Sequence, residues 1–250
     1  DTSFCFGGSV QLTATGGTSY VWSPATGLSS TVIANPVANP TVSTVYTVVG
    51  TDGNSCANVD TVLVTVNPLP IITAFSDTAI CIGASAQLNA TGGTSYVWTP
   101  AVSLSNPNIA NPIATPIVTT TYIVNALDGN SCANADTITV TVNNLPIINA
   151  GSDVAVCFGD TTQLLASGGN SYVWLPVTGL SNSTIANPLA FPTVTTSYIV
   201  NGTDINLCVN MDTVVVTVNP LPVINAGADT SFCFGGSVQL TATGANSYVW

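Results

Sequence analysis

Cysteine thiols and aspartate carboxylates are the groups in this chain best suited to chemistry, and they recur at fixed intervals. Cys5 and Cys56, Cys81 and Cys132, and Cys157 and Cys208 are each 51 positions apart (56 − 5, 132 − 81, 208 − 157), with Cys233 left over. Thiols can form disulfides or bind zinc. With no His in the chain and no C-x-x-C spacing, a metal site is disfavoured and the constant interval points to disulfides. Two pairings are open: within units, as Cys5–Cys56, Cys81–Cys132 and Cys157–Cys208, or between neighbouring units, as Cys5–Cys132 and Cys81–Cys208. Cys233 is then expected to take a partner beyond residue 250. The carboxylates recur as well. Asp52 and Asp128 sit in Asp-Gly-Asn turns, Asp204 in the variant Asp-Ile-Asn, and Asp60, Asp136 and Asp212 open the last strand of their units. Oxygen ligands suit Ca²⁺, which makes Asp52, Asp128 and Asp204 weak candidates for it, but no EF-hand or repeat-in-toxin spacing is present. The plainer reading is a tight hairpin turn and a solubilised strand edge.

What is missing narrows the chemistry further. All 11 acidic residues are Asp, there is no Lys, Arg or His, and the net charge is −11. No imidazole serves as acid or base, no lysine can form a Schiff base, and no cation can activate a serine, so neither an enzyme nor a cofactor is expected. Nucleic acid is excluded because neutralising its phosphates takes Lys or Arg. Anionic membrane surfaces repel such a chain, and no run reaches the roughly 20 apolar residues of a membrane span.

These residues sit in a tandem array. Residues 1–22, DTSFCFGGSVQLTATGGTSYVW, return at 229–250 as DTSFCFGGSVQLTATGANSYVW, with looser copies starting at Asp77 and Asp153. The period is 76 throughout (77 − 1, 153 − 77, 229 − 153). Such a period marks stacked repeats, so function is expected to belong to the array as length, stiffness or multivalent surface.

Within a unit the apolar period is two. Val10, Leu12 and Ala14 alternate with Gln11, Thr13 and Thr15, and the pattern returns at Tyr20 and Trp22, at Tyr46 and Val48, and at Val62, Val64 and Val66. Turn residues separate these runs. Five to seven short strands with a Cys…Trp…Cys order predict an all-β chain, a tandem array of small Ig-like β-sandwiches with a 76-residue period. Trp22, Trp98 and Trp174 are assigned to the core. So are Tyr46, Tyr122 and Tyr198, each placed where a tyrosine-corner hydroxyl can bond back to the chain. Boundaries fall at the proline segments 67–70, 143–146 and 219–222. Residues 67–142 and 143–218 are then complete repeats, 1–66 lacks its first strand, and 219–250 holds the first strands of a fourth. Both ends read as cuts in a longer array.

The unit pattern C-x-G, SYVWSP, GLS, ANP, TTTYIV, D-x-N-x-C and TVTVN resembles the Ig-like/PKD-like repeats of giant surface proteins of the Bacteroidetes, exported by type IX secretion and often built into gliding-associated adhesins. The resemblance implies an extracellular, cell-surface or secreted protein and favours disulfides within units, since such repeats also occur singly. It further implies O-glycosylation in the pattern Asp-Thr-apolar, at Thr61, Thr137, Thr213 and Thr78 and, more loosely, at Thr161. The function it implies is a structural or adhesive stalk or filament segment, whose partners are neighbouring repeats, other copies in a fibre and surface glycans. A glycan- or Ca²⁺-binding module and a spacer for an enzyme elsewhere in a longer chain are the alternatives. Proline at every junction predicts a rod advancing roughly 30 to 40 Å per unit.

Overall fold

The computed structural model describes residues 1–250; every regular element in it is a β-strand. The strands are the period-two runs. Thr120–Leu127 (TTYIVNAL) buries Tyr122, Val124 and Ala126 and turns Ile123, Asn125 and Leu127 outward, as alternation across a half-buried sheet requires. The chain forms two compact units, Asp1–Asn143 and Asn144–Trp250.

The first unit contains two four-stranded sheets. In one, Thr2–Cys5, Ala57–Asn67, Thr44–Thr51 and Ser19–Ser23 lie side by side, with Thr2–Cys5 parallel to Ala57–Asn67 and the other pairs antiparallel. In the other, Thr78–Cys81, Ala133–Asn143, Thr120–Leu127 and Ser95–Thr99 repeat the arrangement. Two-stranded ribbons accompany each sheet: Val10–Gln11 with Val37–Ala38 in the first repeat, and Ala86–Gln87 with Ile113–Ala114 and Thr73–Ala74 with Ala90–Thr91 in the second. The second unit builds one further four-stranded sheet from Val154–Cys157, Val209–Asn219, Thr196–Thr203 and Ser171–Leu175, with a ribbon of Thr162–Gln163 and Leu189–Ala190. Beyond Asn219 no strand forms, only the bridge Asn225–Thr243. The protein is therefore a tandem of Ig-like β-sandwiches.

Each sandwich has its own core. In the second repeat Trp98, Tyr122, Leu88, Val124, Ile138 and Val140 pack together. Trp22, Tyr46, Leu12 and Val64 do so in the first, and Trp174, Tyr198, Leu164 and Val216 in the third. The indoles are satisfied as well as buried: Nε1 of Trp22, Trp98 and Trp174 donates to the carbonyls of Ile33, Ile109 and Ile185 at 2.8, 2.9 and 3.0 Å. Tyr46 and Tyr198 donate their hydroxyls to Thr26 O and Thr178 O at 2.7 and 3.1 Å, and burial pushes both phenols above their ordinary pKa. In the second repeat Ser103 stands where the others have Gly27 and Gly179, and Tyr122 meets its Oγ at 2.6 Å instead.

Candidate functional site

The junction between the first and second repeats is where the chain's distinctive chemistry collects. Strand Thr2–Cys5 runs parallel to Ala57–Asn67, with Cys5 opposite Asn67, at the end where the chain leaves the first repeat. In the next repeat, Cys132 directly precedes strand Ala133–Asn143, and the following Asn134 donates from Nδ2 to Pro70 O of the junction at 2.8 Å. The two cysteines thus flank one short proline segment. They are bonded to each other, with Cα atoms 5.4 Å apart, across 127 positions of sequence.

This replaces the within-unit pairing that the resemblance favours. Cys56 directly precedes Ala57, at the opposite end of the 11-residue strand from Asn67 and Cys5. Eleven residues of strand separate the two sulfurs by roughly 35 Å, whereas bridged Cα atoms lie within about 7 Å. Cys5–Cys56 is therefore excluded by strand length. Cys81–Cys132 and Cys157–Cys208 fail in the same way, because Cys81 pairs in register with Asn143 and Cys157 with Asn219. Cys56, Cys157 and Cys233 are free and exposed, while Cys81 and Cys208 are disulfide-bonded.

The aspartates divide into two structural roles. Asp52 Oδ1 accepts the amides of Asn54 and Cys56 at 2.8 and 2.9 Å, and Asp128 and Asp204 do the same for Asn130 with Cys132 and Asn206 with Cys208. The weak Ca²⁺ candidates thus fold the turn that presents the second cysteine of each repeat. Asp60, Asp136 and Asp212 do not open their strands as the sequence suggests; each is fourth in its 11-residue strand. Asp136 reaches across the sandwich, its Oδ2 accepting the amide of Ala74 and its Oδ1 that of Thr137, both at 2.8 Å. Asp212 holds Ala150 in the same manner at 2.8 Å.

With Asn134, Asp136 clamps the first strand of its repeat. Pro70 is held at one end and Ala74 at the other, and Ile72 between them is 7 % exposed, a burial worth about 1.5–3 kcal/mol. Gly92 makes room: a Cβ there would lie 1.9 Å from Ile71 O. In the third repeat Asn210, Asp212, Ile148 and Gly168 occupy the same places around Pro146–Ala150. Sequence reading missed this clamp, although an Asn-x-Asp triplet at 58–60, 134–136 and 210–212 carries its trace.

The amides of Ala74 and then Thr137 hold the Asp136 carboxyl below the usual carboxylate range. A depressed folded pKa contributes stability that is present above the unfolded value of about 3.9 and is lost as pH falls through the folded value. Asp136→Asn is therefore expected to lower the urea midpoint of the second repeat at pH 7, with the gap from the native chain closing below about pH 4. A gap that stays constant down to pH 2 would show that charge plays no part in the clamp.

Of the threonines in Asp-Thr-apolar triplets, Thr61, Thr137, Thr213 and Thr161 are exposed and Thr78 is half-buried.

No protein-family model matches the chain, and no curated protein does. Among solved structures, it is similar to Sidekick-1 immunoglobulin domains 1-4, with 12 % identity and a TM-score of 0.32 over 87 % of this chain and 73 % of that one. It is also similar to the insect immune protein hemolin, at 12 % identity and a TM-score of 0.33 over 87 % and 74 % of the two chains. A titin tandem gives 13 % identity and a TM-score of 0.34 over 88 % and 96 %. The Ig-like assignment rests on the strand order and register, not on these overlaps.

Proposed function

We propose that this chain is a segment of an extracellular structural or adhesive array, in which neighbouring Ig-like repeats are tied covalently so that load passes along the chain without unfolding the beads. The observation that carries the reading is the bond Cys5–Cys132, which joins one repeat to the next across their proline junction. Shifted by the 76-residue period, the same two positions recur as Cys81 and Cys208, and both of these sulfurs are oxidised. Persistent disulfides belong to oxidising compartments, which supports a secreted or surface location. A composition without cations supports a structural role over catalysis, and the partners of this reading are neighbouring repeats and other copies of the chain.

Force spectroscopy tests it. With Cys5–Cys132 closed, 127 positions at about 3.4 Å each withhold roughly 430 Å of contour length from a stretched chain. Reducing Cys5–Cys132 is expected to release that length. Equal extension of oxidised and reduced chains would show that the bonds bear no load, leaving a passive spacer as the better description.

A further inference from the structure

We propose that the outward faces of the four-stranded sheets bind one another, so that two copies of this chain associate laterally, sheet against sheet. The second repeat carries the inference, because the sequence supplies a neighbouring repeat on either side of it and its face still lies open. Residues alternating outward from Ser95–Thr99, Thr120–Leu127 and Ala133–Asn143 form rows across the strands: Val97 beside Asn125 and Ala135, and Thr99 beside Ile123 and Thr137. All six are exposed, Val97 at 49 % and Ile123 at 42 %. The sheet's other side is the core of Trp98, Tyr122 and Val124.

Charge decides the partner. No residue that alternates outward from these strands is charged, in this repeat or in its counterparts in the first and third. The carboxylates of the second repeat are taken up elsewhere: Asp128 and Asp136 by the amides already described, and Asp77, just before the edge strand, by the Thr139 amide at 2.7 Å. In a chain of net charge −11 without a cation, two copies that approach through their acidic turns meet like charge, and only an uncharged surface escapes it. A basic partner would seek the carboxylates instead. Covering the face also costs little desolvation where its hydroxyls are already paired, as Thr121 Oγ1 and Thr139 Oγ1 are at 3.0 Å. Val, Ile and Thr at period two are residues with which sheets pack face to face, about 10 Å apart.

Area sets how many faces must engage. Four strands about 4.8 Å apart, each roughly seven residues long at about 3.3 Å per residue, span about 450 Å². A stable interface takes about 800 Å² from each partner. One face therefore falls short and two suffice. The face recurs with every repeat, Val21 and Val59 in the first and Val173 and Met211 in the third holding the places of Val97 and Ala135. Another copy offers the same face at the same 76-residue period, so linked contacts favour it over a monovalent partner.

The inference rests on the array reading, for which it names a partner, but a covalently tied chain that stays monomeric would leave that reading standing. Sedimentation of the oxidised 250-residue chain is followed from micromolar to millimolar concentration at low and at high salt. Concentration-dependent association is expected, and it should strengthen with salt, which screens the charge on the rest of each copy. Val21→Asp, Val97→Asp and Val173→Asp together, which set like charges against one another across the contact, are expected to weaken association at least tenfold. Val42→Asp, Val118→Asp and Val194→Asp add the same charge at positions that lie outside the sheets and are more exposed still, and this second triple variant is expected to associate as the native chain does. An unchanged melting temperature and an intact Cys5–Cys132 bond would establish that the face variant folds, and the salt measurement needs no variant at all. A native chain that stays monomeric up to millimolar concentration, association that weakens with salt, or equal association of the two triple variants would each overturn the proposal.

Discussion

Trp98→Ala is expected to unfold the second repeat at denaturant concentrations the native chain withstands, at a cost of about 3–5 kcal/mol. Trp98 is fully buried, packs in a core with Tyr122, Leu88 and Val124, and donates its indole N–H to Ile109 O at 2.9 Å. Alanine removes the ring's burial and its dispersion contacts, and leaves a carbonyl without its donor. A repeat of 76 residues has only a small core, and domains of this kind hold about 5–15 kcal/mol in total. The loss is therefore a large share of the repeat's stability. Urea titration followed by near-ultraviolet dichroism checks it: one early transition for the altered repeat is expected, followed by the unchanged transitions of the others. A single transition displaced by less than about 1 kcal/mol would mean that the repeats share a core.

Gly92→Ala is expected to have an effect of similar size through a different route. At φ +93 the backbone disfavours any side chain, and the added methyl would sit 1.9 Å from the backbone oxygen of Ile71. The strand must move off, so the burial of Ile72 and the clamp bonds of Asn134 and Asp136 go with it. Strain of about 1–3 kcal/mol adds to the lost burial of about 1.5–3 kcal/mol. Gly16→Ala is the matched control, because a Cβ there meets nothing and the backbone strain at φ +90 alone remains. Thermal melts of the two variants should therefore differ, Gly92→Ala being the lower. Equal melting temperatures would show that backbone strain, not strand seating, dominates at both positions.

The core was legible because alternation at period two survives in the letters. Tyr122, Val124 and Ala126 point inward and are buried in the structure, and so is each tryptophan of the first three YVW runs. Turn chemistry was legible for a similar local reason, since Asp52 folds its own turn through bonds to residues two and four positions away. Connectivity was not local. A spacing of 51 says that two cysteines recur together, but the length of strand Ala57–Asn67 between them decides that they cannot meet. The clamp was hidden for the same reason. Asp136 looks like a strand-edge charge until the strand Thr73–Ala74, 62 positions earlier, is seen to end on its carboxylate. A carboxylate with no cation anywhere in the chain has backbone amides as its natural partners, and that absence was the available clue.

The covalent tie between successive repeats is tested most directly by mapping the disulfides of the native chain. With no Lys or Arg, trypsin has no site, so pepsin at low pH is the suitable enzyme, and acid also suppresses the thiolate on which exchange depends. Free thiols are alkylated first. The expected map links the peptide containing Cys5 to the one containing Cys132. Peptides linking Cys5 to Cys56 and Cys81 to Cys132 would contradict the account, leaving each repeat closed on itself and its neighbours untied.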